Sequence, residues 1–337
     1  MRIGFWIKNA RNIALPQSLL PCLTAIVLCI GEEGFVWWLA LPILLGICSA
    51  HLGMNLADDY FDYKHDSRTR ADISSTSVRA RMEKCHYLGE GKATVSQLGW
   101  AIVGFLAFAA LMGATAFVAQ WLIHGWQAAM GIVIYAVLGL FVGINYSGKP
   151  LELGYHGFGE LVIGLMFGPL NMLGVQAALT GAPFSWQMLC MSVGIGCMVT
   201  NIVYVHSVME VNADAELGKM TFARLLKNKA AMVIFIGFFA MMPFVMLGLG
   251  IAMGWWSAWY LFTLATLPMS IYLIHSTRLF AYGLPRNDTP YWWMGPMGEW
   301  DKYKAAGIDW FLYRWLLARN ICTFFCLILM IVHLIQL

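Results

Sequence analysis

The feature that most constrains this chain is a series of unbroken apolar runs, each close to the roughly 20 residues that an α-helix needs to cross a bilayer. Nine segments are predicted, near residues 13–30, 35–57, 98–120, 128–147, 160–181, 187–206, 230–252, 258–280 and 315–336. Because 60% of the residues are hydrophobic and only 12% are charged, a soluble single-domain enzyme is excluded. We predict an all-α membrane protein, one polytopic domain over residues 1–337, with nine transmembrane helices in a bundle around a central cavity.

The basic residues separate to one side of this predicted topology. All 21 Lys and Arg residues lie in or beside the N-terminal tail and the second, fourth, sixth and eighth connections, and the other connections contain none. Since cationic loops stay in the cytosol, we expect a cytosolic N-terminus and an outside C-terminus. Topology and attraction to membrane lipid explain the basic residues, so no nucleic-acid partner is expected, and no obligate protein partner is inferred.

The first acidic cluster lies at the cytosolic end of the second predicted helix, in HLGMNLADDYFDYKHD. Asn55, Asp59, Asp62 and Asp66 share one helical face, with Asp58 beside them. A solvated helix end is the simplest interpretation of one or two acids. Four carboxylates within nine residues of so weakly charged a chain instead favour a divalent cation, which relieves their mutual repulsion.

A second cluster lies at the cytosolic end of the sixth predicted helix, in HSVMEVNADAELGKMT. His206, Glu210 and Asp214 follow one another at intervals of four residues. Magnesium takes one or two carboxylates and completes its octahedron with water and phosphate oxygens. Two acidic clusters across a cavity therefore suit two Mg²⁺ ions bridged by a diphosphate, with Lys219 as a cation for its oxygens.

A carboxylate, Mg²⁺ and lysine site at the mouth of an apolar bundle suits a substrate with a diphosphate head and a hydrocarbon tail, such as a polyprenyl diphosphate. The metal would draw charge onto the leaving diphosphate, and aromatic rings would stabilise an allylic cation. Two alternatives stay open: a membrane terpene cyclase, which needs no second substrate, and a cation transporter. Transporter sites usually lie at the bilayer midplane, whereas these acids lie at helix ends.

NLADDYFDYKHD and EVNADAELGKMT resemble the two Asp-rich motifs of the UbiA superfamily of intramembrane prenyltransferases. The N-x3-D-x2-D spacing from Asn55 and the segment from Tyr146 to Gly174 are most similar to 1,4-dihydroxy-2-naphthoate prenyltransferases of menaquinone biosynthesis. The resemblance implies Mg-dependent transfer of a polyprenyl group to an aromatic acceptor at the bacterial inner membrane. Glu210 stands where Asp is usual, and His206 where Asn or Asp is common.

The resemblance also implies roles for individual residues. Asp59, Asp62 and Asp66 would bind one Mg²⁺ ion, and Glu210 and Asp214 a second. The diphosphate or acceptor would be bound by Arg79, Lys84, Tyr146, Lys149 and Lys219. The catalytic set would be Asn55, Asp59, Asp62, His206, Asp214 and Lys219. For His206 two roles stay open, action on the acceptor hydroxyl and hydrogen bonding in the interior.

The eighth connection, from about residue 281 to 313, is unusually long and contains PYWWMGPMGEWDKYKAAGIDWFLYRW. Its aromatic residues alternate with basic and acidic ones, which predicts a cytosolic segment at the level of the lipid headgroups. A lid that excludes water from the cation is the alternative.

Overall fold

The computed structural model describes residues 3–65, 85–216 and 220–337. Every regular element within these ranges is a helix, so the predicted all-α fold is confirmed. In chain order the α-helices are α1 Ile3–Asn9, α2 Pro16–Leu28, α3 Ala40–His65, α4 His86–Gly89, α5 Val95–His124, α6 Trp126–Ser147, α7 Gly159–Leu165, α8 Asn171–Thr180, α9 Trp186–Met209, α10 Val211–Glu216, α11 Phe222–Leu226, α12 Lys229–Ala252, α13 Leu267–Tyr282, α14 Trp300–Ala305 and α15 Asp309–Gln336.

Eight helices in the described part of the chain are long and apolar enough to cross a membrane, and a bent pair makes a ninth. The bent pair joins Ile3–Asn9 to Asn12–Leu28 at an angle of 60°. The other spans are Trp37–Lys64, Val95–His124, Trp126–Ser147, Gly159–Thr180, Trp186–Met209, Lys229–Ala252, Ala258–Tyr282 and Asp309–Gln336. The predicted count of nine is therefore confirmed when the bent pair is taken as one span.

The chain forms two compact units. The first consists of Met1–Leu153 and Pro169–Leu189, and the second of Gly154–Gly168 and Cys190–Leu337. In the first unit, α3 packs along α5, and a Cβ at Gly53 would lie only 3.0 Å from the Leu106 side chain. A single domain over the whole chain and a central cavity remain predictions.

A cluster of buried apolar side chains in the first unit lies beside the acidic end of α3. It joins Trp6 of α1, Leu56 of α3, Tyr87 of α4 and Leu98 of α5. Burial of such large side chains stabilises the arrangement by roughly 1.5–3 kcal/mol each. The core thereby brings α1 and α4 to the end of α3, where the first acidic cluster lies.

In the second unit, α7 and the turn after it approach α9 very closely. A Cβ at Gly164 would collide with the Thr200 hydroxyl, and a Cβ at Gly168 would lie 2.6 Å from the Gly196 Cα. Small residues allow this contact between backbones, as is common in membrane helices. The following turn, Met166–Leu170, is a π-helix that contains Pro169, so the span is irregular near its middle.

The eighth connection is folded against α15. It contains a 3₁₀-helix at Trp292–Met294 and then α14. The fully buried Arg314 donates a hydrogen bond of 2.6 Å to Asp288 Oδ1, and Asn320 Nδ2 donates to the carbonyls of Met294 and Pro296. The long connection is thus present where predicted, while its placement at the headgroups or as a lid remains a prediction.

Because Arg314 is buried, removal of its partner should destabilise the second unit. We expect Asp288→Ala to lower the free energy of unfolding by about 3–5 kcal/mol, since it leaves a buried charge without its carboxylate. Thermal unfolding of the purified protein in detergent measures the change. The matched control is Glu299→Ala, which breaks the exposed pair with Lys302 and should have little effect. Equal effects of the two variants would contradict the anchoring role of Asp288.

Candidate active site

The first acidic cluster occupies the last turns of α3, which continues without a break to His65. Asn55, Asp59 and Asp62 therefore lie on one face of this helix, and Asp58 lies beside that face. Asp59 is only 1% exposed. Because burial of an isolated carboxylate is very unfavourable, its surroundings must compensate its charge.

Two side chains provide that compensation at Asp59. The Tyr87 hydroxyl donates a hydrogen bond of 3.1 Å to Asp59 Oδ2. The Arg11 guanidinium lies 3.5 Å from Asp59 Oδ1. Burial raises the pKa of Tyr87, as does the nearby Asp59 carboxylate, so the phenol keeps its proton and remains a donor. Neither residue was predicted as part of the site.

Asp58 connects α3 to its neighbours. Its Oδ2 accepts a hydrogen bond of 2.9 Å from Arg11, and its Oδ1 accepts one of 2.6 Å from the Ser147 hydroxyl at the end of α6. Arg11 lies at the bend between α1 and α2, with a left-handed backbone φ of 56°. Its sequence position indicated only a cytosolic cation, whereas the fold places it against two carboxylates.

Asn55 supports the same bend. Its Nδ2 donates to the Ala10 carbonyl at 2.9 Å, and its own carbonyl accepts from Arg11 at 2.9 Å. These contacts show a positioning role for Asn55, and the predicted catalytic role is left as a prediction. They also explain why Arg11 reaches the carboxylates, because both sides of the bend are fixed to α3.

The predicted substrate residues Tyr146 and Lys149 flank Ser147 in the chain. Tyr146 is half-buried near the end of α6, and Lys149 is exposed just beyond it. A Cβ at Gly148 would lie 3.1 Å from the Phe61 ring, so the end of α6 packs against the acidic end of α3. The fold thus brings this segment to the first cluster, and contact of Tyr146 and Lys149 with the phosphate or the acceptor stays a prediction.

The second cluster has the predicted helical spacing. Backbone hydrogen bonds run from Glu210 to His206 at 3.1 Å and from Asp214 to Glu210 at 2.8 Å, so the helical path continues from α9 into α10. His206 Nε2 lies 3.2 Å from Glu210 Oε2, and the Phe311 ring packs edge-on against the imidazole at 4.9 Å. All three predicted residues are buried. A positioning contact between His206 and Glu210 is present, and action on the acceptor stays a prediction.

Glu160 is a buried carboxylate outside the set of predicted site residues. Both of its oxygens accept hydrogen bonds from the Phe222 backbone N–H, at 3.3 and 3.2 Å. Arg224 Nη1 donates to the Asp214 carbonyl at 3.3 Å. Together these contacts hold α11 against α7 and α10. A Glu at the start of a predicted helix gave no signal of this role.

Four predicted residues, Asp66, Arg79, Lys84 and Lys219, lie outside the described residues. Their roles stay predictions, as does the sharing of one diphosphate by the two clusters. Within the described ranges, no three His, Cys, Asp or Glu side chains form a group that could hold a metal ion by themselves.

The donor chemistry nevertheless fits magnesium. The first cluster offers Asp59 and Asp62, and the second offers Glu210 and Asp214. Magnesium is usually bound by one or two carboxylates together with substrate phosphates and water, so a complete protein cage is not required. The same donor sets would suit calcium poorly, because calcium takes six to eight oxygen ligands.

A match to a known family decides which chemistry this geometry serves. The model of the UbiA prenyltransferase family matches residues 18–292, most of the chain. The chain belongs to the UbiA prenyltransferase family. It is an integral membrane prenyltransferase, and the family suggested by the two Asp-rich motifs is confirmed.

Relatives and solved structures of the UbiA family agree with this result. A 1,4-dihydroxy-2-naphthoate octaprenyltransferase of Mycobacterium tuberculosis is 27% identical over 74% of this chain and 79% of its own length. The enzyme of that name from Bacillus subtilis is 26% identical over 77% and 78%. A solved structure of a digeranylgeranylglyceryl phosphate synthase matches 99% of both chains with a TM-score of 0.58 and 15% identity. A UbiA homolog from Aeropyrum pernix K1 matches 100% and 98% with a TM-score of 0.53 and 13% identity. The two structures show that the fold is shared.

The contact between Glu160 and Phe222 generates a prediction for the second cluster. We expect Glu160→Ala to lower kcat/KM for the prenyl diphosphate by about 10- to 100-fold, because loss of a supporting hydrogen bond disorders a site that it does not itself form. Steady-state kinetics with a fixed acceptor concentration measure the change.

Glu160→Gln keeps one carbonyl oxygen as an acceptor and should retain more activity than Glu160→Ala. The matched control is Glu216→Ala, an exposed acid at the end of α10, which should leave kcat/KM unchanged. If Glu160→Ala behaves like this control, Glu160 does not support the site.

Proposed function

We propose that this protein catalyses the Mg²⁺-dependent transfer of a polyprenyl group from a polyprenyl diphosphate to 1,4-dihydroxy-2-naphthoate, in menaquinone biosynthesis. The observation that carries the proposal is the pair of buried carboxylates, Asp59 and Asp214, each within an acidic helix end of a family member. The names of the M. tuberculosis and B. subtilis relatives support the naphthoate acceptor. A Synechocystis relative, 28% identical over 44% of this chain, is a 2-carboxy-1,4-naphthoquinone phytyltransferase.

The proposed reaction exchanges one bond for another. The bond from the first prenyl carbon to the diphosphate oxygen breaks, and that carbon forms a bond to the electron-rich ring of the acceptor. The ring then loses a proton, and the naphthoate carboxylate leaves as CO₂, its place being taken by a proton. Bound magnesium would supply positive charge to the leaving diphosphate.

Residues of this chain would position the metal ligands and bind the substrates for this reaction. Tyr87 and Arg11 hold Asp59 in one orientation, and His206 holds Glu210 at the other cluster. We propose Asp59, Asp62 and Asp66 as ligands of one ion, and Glu210 and Asp214 as ligands of a second. Lys219, with Lys84 or Arg79, would bind diphosphate oxygens. Tyr146 and Lys149 would contact the phosphate or the acceptor.

The segregation of Lys and Arg supports the proposed orientation. A cytosolic N-terminus and an outside C-terminus would place both acidic helix ends on the cytosolic side. A bacterial inner membrane is the proposed location, because the quinone pathway of the named relatives requires a lipid-soluble product. Membrane lipid is the expected surrounding of the apolar helix faces.

The test uses the purified full-length protein, a series of polyprenyl diphosphates and 1,4-dihydroxy-2-naphthoate, with product detection by mass spectrometry. We expect a prenylated, decarboxylated naphthalene product that forms with Mg²⁺ and disappears when the metal is chelated with EDTA. Release of a cyclic hydrocarbon without an acceptor would instead indicate a terpene cyclase. Neither product in the presence of Mg²⁺ would overturn the proposal.

Variants of the proposed ligands give a separate prediction. Asp59→Ala and Asp214→Ala should each lower kcat by about 100-fold or more, because a metal ligand contributes several kcal/mol to stabilisation of the leaving group. The control is Asp301→Ala, an exposed acid in α14, which should retain full activity. Activity that survives either ligand substitution would contradict the assigned metal sites.

A further inference from the structure

A second group of polar side chains lies deeper in the first unit and has no role in the proposed metal and diphosphate chemistry. Ser18 of α2, His51 of α3 and Asn171 of α8 are 0%, 5% and 6% exposed. Polar residues within membrane-spanning helices are costly and usually serve a function. Three of them in contact therefore require an explanation.

Hydrogen bonds join the three residues across three helices. The Ser18 hydroxyl lies 2.5 Å from His51 Nδ1. The Asn171 Nδ2 donates to the Ser18 backbone carbonyl at 2.9 Å. The contacts fix the orientation of the Asn171 amide, because only its nitrogen can donate to a carbonyl. The amide oxygen must then point away from Ser18.

That amide oxygen is the unusual feature of the group. Asn171 Oδ1 is buried and has no hydrogen-bond partner. A buried acceptor without a donor costs roughly 1–3 kcal/mol, a cost that a bound ligand with a hydroxyl group would remove. Asn171 also directly follows the π-helical turn Met166–Leu170, and such irregular turns are frequent at functional sites.

The position along α3 relates this group to the acidic helix end. His51 precedes Asp59 by eight residues in one unbroken helix, which corresponds to about 12 Å along the axis. It lies on the same helix face as Asn55 and Asp62. The group thus lies deeper than the proposed diphosphate position, at a separation that a diphosphate and an aromatic ring can fill.

We propose that Asn171 binds a hydroxyl group of the aromatic acceptor, with Asn171 Oδ1 accepting the hydrogen bond while Asn171 Nδ2 stays bound to the Ser18 carbonyl. His51 contacts the Ser18 hydroxyl and thereby helps to position Ser18. The inference rests on the proposed function, since it assigns a binding residue for the acceptor of that reaction. It predicts that the enzyme recognises its acceptor by a ring hydroxyl at one position and not by hydrophobic contact alone.

The chain offers a matched control on the same helix. Gln176 of α8 is also a buried amide, 2% exposed, with an oxygen that has no hydrogen-bond partner. Its Nε2 donates to Glu32 Oε2 at 3.1 Å, in the connection between α2 and α3. Gln176→Ala therefore removes a buried amide from the same helix, but one that contacts Glu32 and not the group of Ser18 and His51.

The experiment measures inhibition constants of 1-hydroxy-2-naphthoate and 4-hydroxy-2-naphthoate against the dihydroxy acceptor, for wild type, Asn171→Ala and Gln176→Ala. We expect wild type to prefer one monohydroxy compound by about tenfold, the contribution of one buried hydrogen bond. Asn171→Ala should lose this preference and show an increase of similar size in the KM for the acceptor. The KM for the prenyl diphosphate should stay unchanged, and Gln176→Ala should behave as wild type.

Asn171→Ser provides a second variant in case Asn171→Ala does not fold, because it keeps a polar side chain that is too short to reach the same point. It should lose the same preference. The inference is wrong if the preference for one monohydroxy compound persists in either Asn171 variant, or if Gln176→Ala loses that preference equally. In both cases prenylation of the dihydroxy acceptor by the wild type would still support the proposed function. If wild type does not prenylate the dihydroxy acceptor, the acceptor assignment and this inference are both wrong.

Discussion

The structure of the first unit depends on the compensation of buried negative charge at the end of α3. Asp59 is nearly inaccessible to water, and Asp58 lies beside it, so each carboxylate needs donors from other elements. Arg11 contacts both, Tyr87 donates to Asp59, and Ser147 donates to Asp58. These contacts fasten the bend before α2, the short helix α4 and the end of α6 to one helix terminus. Charge compensation and tertiary assembly are therefore the same set of interactions.

The second unit also contains buried charged side chains, and different residues compensate them. The Glu210 carboxylate lies beside the His206 imidazole, which packs on Phe311 near the start of α15. Glu160 accepts from the backbone at the start of α11, and Arg314 meets Asp288 in the long connection. The contacts of Glu160 and Arg314 join segments that are distant in sequence, whereas Glu210 and His206 are neighbours along one helical path. Such pairs are costly to break singly, which makes the surroundings of the acidic helix end rigid, as a catalytic site requires.

The proposed roles of the acidic helix ends and of the group at Asn171 and His51 follow from their different depths in the bilayer. Carboxylates at helix ends can exchange ions and a charged diphosphate with water, whereas Asn171 and His51 lie where only a hydrogen bond to a ligand or to protein is available. An aromatic acceptor with ring hydroxyls suits such a place. The ionic half of the reaction and the recognition of the ring would thus use different layers of the first unit.

The sequence by itself determined the helical membrane fold, the span count, the two acidic clusters and the family, because apolar run length and helical periodicity are local properties of the chain. The four-residue spacing of His206, Glu210 and Asp214 already predicted a helical path, which the structure shows running from α9 into α10. Only the tertiary structure decided that Arg11, Tyr87 and Ser147 surround the first cluster and that Asn55 supports a bend. It alone also showed Glu160 as an anchor and joined Ser18, His51 and Asn171. Those contacts join residues far apart in the chain, and hydrophobic patterns do not specify which polar atoms meet after helices pack.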